Sequence, residues 1–366
     1  MDLMIVGNRT LKFCRCFGIL STSAFSFLLL FAFPKVSAQV QGAKLSGTAT
    51  NGAGAAGPNT DSAVKNAPTA ITPMAKSDAA ILYAAPSVAV AGDAPPLHLN
   101  PAIAKLARGE AIIGIQTDDM SLQNCRSLTR VDYDYAYVDM EHGALNLDGL
   151  AYCIAAMVDK AAVLKKGNAQ PNVALFARFP PYGRDLQSND WIAKQALDMG
   201  LMGIIFNGVD NKEQMMRLVQ YMRYPQQKTS KYQQPPGLRG SAPGNPSFVW
   251  GISTDEYERH ADVWPLNPEG DLLAIPMIET AEGLKNVDEI AAVPGVGAIF
   301  VGNGGDLHQY LGVPRRDSPE VEQARQTILA ACKAHNVACG ITALTKADVD
   351  KRLKEGWKMI RTGRGE

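Results

Sequence analysis

Residues 132–143 read DYDYAYVDMEHG, and the reading of this stretch decides the rest of the chain. Its side chains alternate, and the tyrosines, Val138 and Met140 supply β propensity, so it is read as a strand that stops at Gly143. Where such a strand ends in a glycine turn, its carboxyl end can face the mouth of a barrel. Asp139, Glu141 and His142 place three ionisable groups within four positions at that end. A solvated strand end would also tolerate them, but a functional edge is the stronger reading, because folding alone gives no reason for this ending.

Outward from it, the chain alternates strand and helix. AIIGIQT (111–117) is expected as a strand before it, with a helix over 121–130 between the two. A helix follows over 147–160, with apolar residues at Leu147, Leu150, Ile154, Met157 and Val158. NVALFARF (172–179) is a strand ending on Arg178, and DWIAKQALDMG is a helix stopped by Gly200. LMGIIFNGV is the next strand, and a helix over 211–224 halts before Pro225. A long Pro/Gly/Gln-rich loop follows, of a length that points to a functional or interface role. Then come strand DLLAIPMIET, helix LKNVDEIAAV, strand GVGAIFVGN, helix 320–335, strand NVACGIT, helix 347–355 and strand WKMIRTG. About eight strands in roughly 260 residues favour an α/β fold of the (β/α)8 TIM-barrel kind over a doubly wound sheet. No GxGxxG or GxxxxGK loop opens a helix, which leaves nucleotide binding without support.

Bulk composition agrees with a large soluble core: 46% hydrophobic and 20% charged residues in a chain of 366. Lysine plus arginine and aspartate plus glutamate both number 36, so there is no basic field for nucleic acid. The start of the chain reads differently from the rest. Arg9, Lys12 and Arg15 precede an apolar run over 17–33, followed by Pro34 and the small residues Val36-Ser37-Ala38. We expect a secretory signal peptide over 1–38, cleaved before Gln39, with an uncleaved anchor through 17–33 as the alternative. Export to the periplasm or medium follows, with no stable membrane span after cleavage. Residues 39–97, rich in Ala, Gly and Pro, are expected to be a disordered linker, and residues 98–366 the barrel. Cys125, Cys153, Cys332 and Cys339 have no CxxC spacing and no His pair beside them, which argues against zinc. Disulfides and buried thiols both stay open for these four.

The strand ends collect Glu141, His142, Arg178, Glu279 and, beyond the loop GNGGD, Asp306. Around these residues YVDMEHG, FARFP, KQALDMGLMGIIFNGV, YPQ…GLRG, IPMIETAEGLKNVDEIAAVPGVGAIFVG and GDLHQYLG resemble the HpcH/HpaI aldolase and citrate lyase family. Its branch of metal-dependent pyruvate aldolases, of the 4-hydroxy-2-oxoheptanedioate type, is the most similar. The resemblance implies a TIM barrel of the phosphoenolpyruvate/pyruvate type. It also implies a divalent metal (Mg2+ or Mn2+, with Co2+ a third candidate) on Glu279 and Asp306, a catalytic His142, and an enolate-stabilising Arg178. Asp198 would be the acid that orients His142, and Met277 and Gly305 would join Arg178 around a small 2-oxo acid. Chemistry asks for the same residue types. Hard cations take carboxylate oxygens, and an arginine suits a developing oxyanion.

The same resemblance marks departures. Relatives carry a glutamine at Met277, and prolines at Asn207 and Asn303; GNGGD has one residue more than the usual spacing, and insertions fall near 161–170 and 182–187. The family's last helix, which packs on a neighbouring subunit, is expected to be missing after the eighth strand, although a homo-oligomer remains an expectation. Three functions therefore stand: a metal-dependent carbon–carbon lyase first, then a non-catalytic acid-binding scaffold, then a citrate-lyase-like acyl-CoA lyase.

Overall fold

Eight parallel strands wrap into one sheet in a computed structural model of the chain, which describes residues 98–363. The readings of signal peptide and linker fall outside the described residues. Helix α1 (Pro101–Ala107) starts on Asn100, whose side chain accepts from the amides of Ala102 and Ile103. The barrel then runs β1 (Ile112–Thr117), α2 (Leu122–Leu128), β2 (Tyr135–Asp139), α3 (Leu147–Ala156), α4 (Lys160–Lys166), β3 (Ala174–Tyr182) and α5 (Leu186–Asp198). It continues with β4 (Gly203–Asn207), α6 (Lys212–Met222), α7 (Gly244–Trp250), α8 (Thr254–His260) and β5 (Leu273–Pro276). The last part is α9 (Ala281–Lys285), α10 (Val287–Ala291), β6 (Ala298–Phe300), α11 (Gly305–Tyr310), α12 (Pro319–Ala334), β7 (Ala338–Thr342), α13 (Lys346–Glu355) and β8 (Met359–Thr362).

Strand order is β5-β4-β3-β2-β1-β8-β7-β6. Parallel bridges Ala274 to Val296 and Met277 to Phe300 bring the two ends together, so the sheet is a nearly closed barrel. The expected (β/α)8 architecture is the one observed. Burial explains the strand composition. All five residues of β2 and of β4 are buried, as parallel strands covered on both faces must be. Inside, glycines make room for rings. Gly114 lies opposite Tyr135 and Gly203 opposite Phe176 in the ladders. A Cβ at either glycine would fall 2.5 and 2.6 Å from the facing ring.

Several elements differ from the sequence reading, among them the short helices α1 and α4, which it did not give. The opening strand ends at Asp139, because Glu141 N–H bonds back to Asp139 Oδ1 at 3.1 Å and turns the chain. The stretch after the long loop folds into α7 and α8, whose lengths are too short to show a hydrophobic period. Asp306 stands in the first turn of α11 rather than in a loop. Cys125 pairs with Cys153, joining α2 to α3, and Cys332 pairs with Cys339, joining α12 to β7.

Candidate active site

The carboxyl ends of β1, β2, β3, β5, β7 and β8 meet the β6–α11 loop around a cavity of about 160 Å3. Gln116, Tyr137, His142, Arg178, Met277, Glu279, Gly305, Asp306, Thr342 and Arg361 are among its lining residues. Register explains the first contact. Asp139 and Arg178 are direct partners in the β2–β3 ladder, and Arg178 Nε donates to Asp139 Oδ1 at 3.0 Å while Nη2 bonds Oδ2. Arg178 Nη1 lies 2.8 Å from Glu141 and 3.8 Å from the Met277 sulfur. Burial works against its charge, but the Asp139 hydrogen bond and the neighbouring Tyr137 and Glu141 outweigh it and hold the guanidinium protonated. Arg178 is thus a fixed cation whose charge is already shared by two carboxylates.

Glu279 follows β5 and is 5% exposed. Its Oε2 accepts from Gly208 N–H at 3.0 Å. That amide is presented by a positive-φ turn that only glycine suits, since a Cβ there would sit 2.2 Å from the Tyr182 ring. Burial, then the charges of Glu141 and Asp306, push the Glu279 carboxyl up to about 7; the Gly208 bond and Arg178 pull the other way. Glu141 is raised as well, by burial first. Glu279 and Glu141, whose ionisation is made costly by burial and then by neighbouring acids including Asp306, are groups that a bound cation would relieve. Among the described residues no group of three or more His, Cys, Asp or Glu already converges at ligand distance. Glu279 and Asp306 carry the carboxylate oxygens that could hold Mg2+ or Mn2+, ions that keep several water ligands.

His142 stands on the rim with its side chain 66% exposed, and its Nε2 is 3.4 Å from Glu141 Oε2. Within the chain Asp198, expected to orient it, does not stand beside it. Asp198 closes α5, the helix that leads into the amino end of β4, so it lies at the opposite end of the barrel. There it is bound by Arg239, with Nη2 at 2.8 Å, and cannot reach His142 within the chain. The acid beside His142 is Glu141. Met277 is buried, with only a thioether to offer. Gly305 N–H donates to Asn303 Oδ1 at 2.9 Å, which shapes the turn leading into Asp306. Gln116 and Arg361, like Tyr137 and Thr342, are cavity residues that sequence reasoning passed over. The first two matter most for charge. Both stand near the carboxyl ends of strands, so the rule that picked out Arg178 would have found them.

Residues 121–365, well over half of the chain, match the family described as HpcH/HpaI aldolase/citrate lyase. The chain belongs to that family. Among HpcH/HpaI relatives, 5-keto-4-deoxy-D-glucarate aldolase of Citrobacter koseri is 28% identical over 232 residues, 63% of this chain and 77% of the relative. The 2-dehydro-3,6-dideoxy-6-sulfogluconate aldolase of Pseudomonas putida is 28% identical over 253 residues, 69% and 86% of the two chains. A solved HpcH/HpaI structure from Burkholderia cenocepacia superposes with a TM-score of 0.58 at 26% identity, covering 72% of this chain and 92% of its own.

Proposed function

We propose that this family member is a metal-dependent carbon–carbon lyase that cleaves or forms a 4-hydroxy-2-oxo acid through a pyruvate enolate. The observation that carries the reading is the pair of raised carboxyls, Glu279 and Glu141, facing the charge of Asp306 beside a fixed Arg178 at one barrel mouth. Glu279 and Asp306 would hold the divalent cation, which supplies Lewis acidity toward a 2-oxo acid when bound. Arg178, held by Asp139, presents Nη1 to the cavity and stabilises negative charge that develops on the keto oxygen. His142 is open to the substrate side and backed by Glu141, a placement suited to moving the proton of the 4-hydroxyl. The aldolase names of the relatives, all acting on sugar-derived acids by those names, support the substrate class.

A retro-aldol assay with saturating Mn2+ tests it. His142→Ala should lose about 10²–10⁴-fold in turnover, the usual contribution of a positioned acid–base group. Equal pyruvate release by wild type and His142→Ala would remove His142 from the mechanism. The binding-scaffold reading is favoured by one feature, the buried Met277 thioether where a hydrogen-bonding amide is expected. Wild type that releases no pyruvate from any 4-hydroxy-2-oxo acid would favour it.

Export belongs to the same proposal. All four cysteines of the described region are paired, Cys125 with Cys153 and Cys332 with Cys339, and such pairs persist in oxidising compartments. Among the described residues no helix is long and apolar enough to cross a membrane.

A further inference from the structure

The cavity contains two arginines in different electrostatic states. Arg178 is shared between Asp139 and Glu141. Arg361, from the end of β8, has no carboxylate ion pair among the described residues. Its Nη2 donates to Gln116 Oε1, the same oxygen that accepts the Tyr137 hydroxyl at 2.8 Å. Its Nε is buried and has no hydrogen-bond partner. Gln116 in turn donates from Nε2 to Asp139 Oδ2 at 2.6 Å, so the orientation of its amide is set by the Asp139–Arg178 pair. That orientation aims the amide oxygen at Arg361 and fixes the guanidinium on the cavity wall. Ladder pairing holds the backbone too, with Arg361 opposite Gly114 in β1 and Thr342 in β7.

A buried guanidinium N–H without an acceptor is costly, and a cation with only neutral partners leaves charge uncompensated. A carboxylate lying against the β8 wall of the cavity would supply the missing countercharge and accept from the guanidinium. A neutral carbonyl could accept a hydrogen bond but would leave the charge uncompensated. Among the described residues the other arginine lining this cavity is Arg178, which already lies against Asp139 and Glu141. We propose that Arg361 is a substrate-binding residue that recognises a carboxylate of the ligand and makes the site selective for anionic acids over their neutral counterparts. This deepens the lyase reading by naming what sets its acid specificity, and it can stand without catalysis.

The test compares binding of pyruvate and of its uncharged amide, pyruvamide, by calorimetry to Mn2+-loaded wild type, Arg361→Gln and Arg361→Lys. Mn2+ titration of each variant reports whether the mouth is intact. Arg361→Gln should bind Mn2+ as wild type does, bind pyruvate about 10- to 100-fold more weakly, and lose much less affinity for pyruvamide. Arg361→Lys, which keeps the charge but not the fork, should recover part of the pyruvate affinity. Unchanged pyruvate affinity in Arg361→Gln overturns the proposal, as does equal loss for pyruvate and pyruvamide or failure of wild type to bind pyruvate. A wild type that shows the Arg361-dependent preference yet cleaves no 4-hydroxy-2-oxo acid would retire the lyase reading and leave this one standing.

Discussion

Lowering the pH should strip metal from this site through one carboxyl group. Glu279 is buried among Glu141 and Asp306, and its carboxyl sits at about 7, well above the ordinary 4.5. A divalent ion needs the carboxylate, so below pH 7 it must displace a proton. Half of Glu279 is ionised near pH 7 and about 1% near pH 5, so Mn2+ affinity should fall about 50-fold between the two. The sign for folding is opposite. A carboxyl whose folded pKa lies above its unfolded value favours the fold at low pH, and that stability is lost as pH rises through 7. Metal-free protein is therefore disfavoured by this group at pH 8, and Mn2+ should raise its melting temperature more at pH 8 than at pH 5. Calorimetric titration with Mn2+ from pH 5 to 8, in buffers of different ionisation enthalpy, measures both Kd and protons released. About one proton should be released at pH 6. Glu279→Gln should bind weakly at every pH with a flattened profile. Asp306→Asn should lower the affinity while shifting the midpoint of any residual pH dependence downward, since one repelling charge is gone. A wild-type Kd constant within about twofold over the range, or the same slope in Glu279→Gln, would refute the argument.

Two further outcomes follow from other parts of the fold. Asp271 is fully buried and accepts from Leu99 and Asn100 amides at 3.1 Å, with His98 at 3.1 Å and His260 at 2.9 Å. Burial opposes its charge, but the two histidines hold it below 3.8, and Asp271 likewise holds His260 above 6.5 against burial. Asp271 contributes stability that is lost as pH falls below 3.8, and His260 stability that is present below 6.5 and lost as pH rises beyond its folded value. Asp271→Asn should cost about 1–3 kcal/mol and flatten denaturant-unfolding profiles above pH 6.5; a profile parallel to wild type would sink the pairing. For export, mass spectrometry of the mature protein should find an N-terminus at or near Gln39 and no free thiol at Cys125, Cys153, Cys332 or Cys339. Intact Met1 on soluble cytosolic protein would overturn it.

The alternation of strands and helices, and hence the barrel, was legible because parallel strands buried on both faces are near-continuous apolar runs, as in LMGIIFNGV and DLLAIPMIET. The ends of those runs also exposed His142, Arg178 and Glu279, since a charged residue that closes an apolar strand has few places to go except the mouth. Within the chain Asp198 stands apart from these. It ends a helix, not a strand, and a helix that runs back along the barrel delivers its last residue to the other rim, where Arg239 takes it.

The amino-acid sequence by itself determined the periodicities, and through them the number and order of the strands. Pairing across elements needed the tertiary structure. Four cysteines allow three connectivities, and the packing of α2 on α3 and of α12 on β7 selected one. Ladder register set Asp139 against Arg178, and so left Arg361 without an acid of its own. The elevated Glu279 carboxyl has a like origin. Its causes are burial first and then the charges of Glu141 and Asp306, residues far apart in the chain, and neither burial nor charge proximity is encoded by a local pattern.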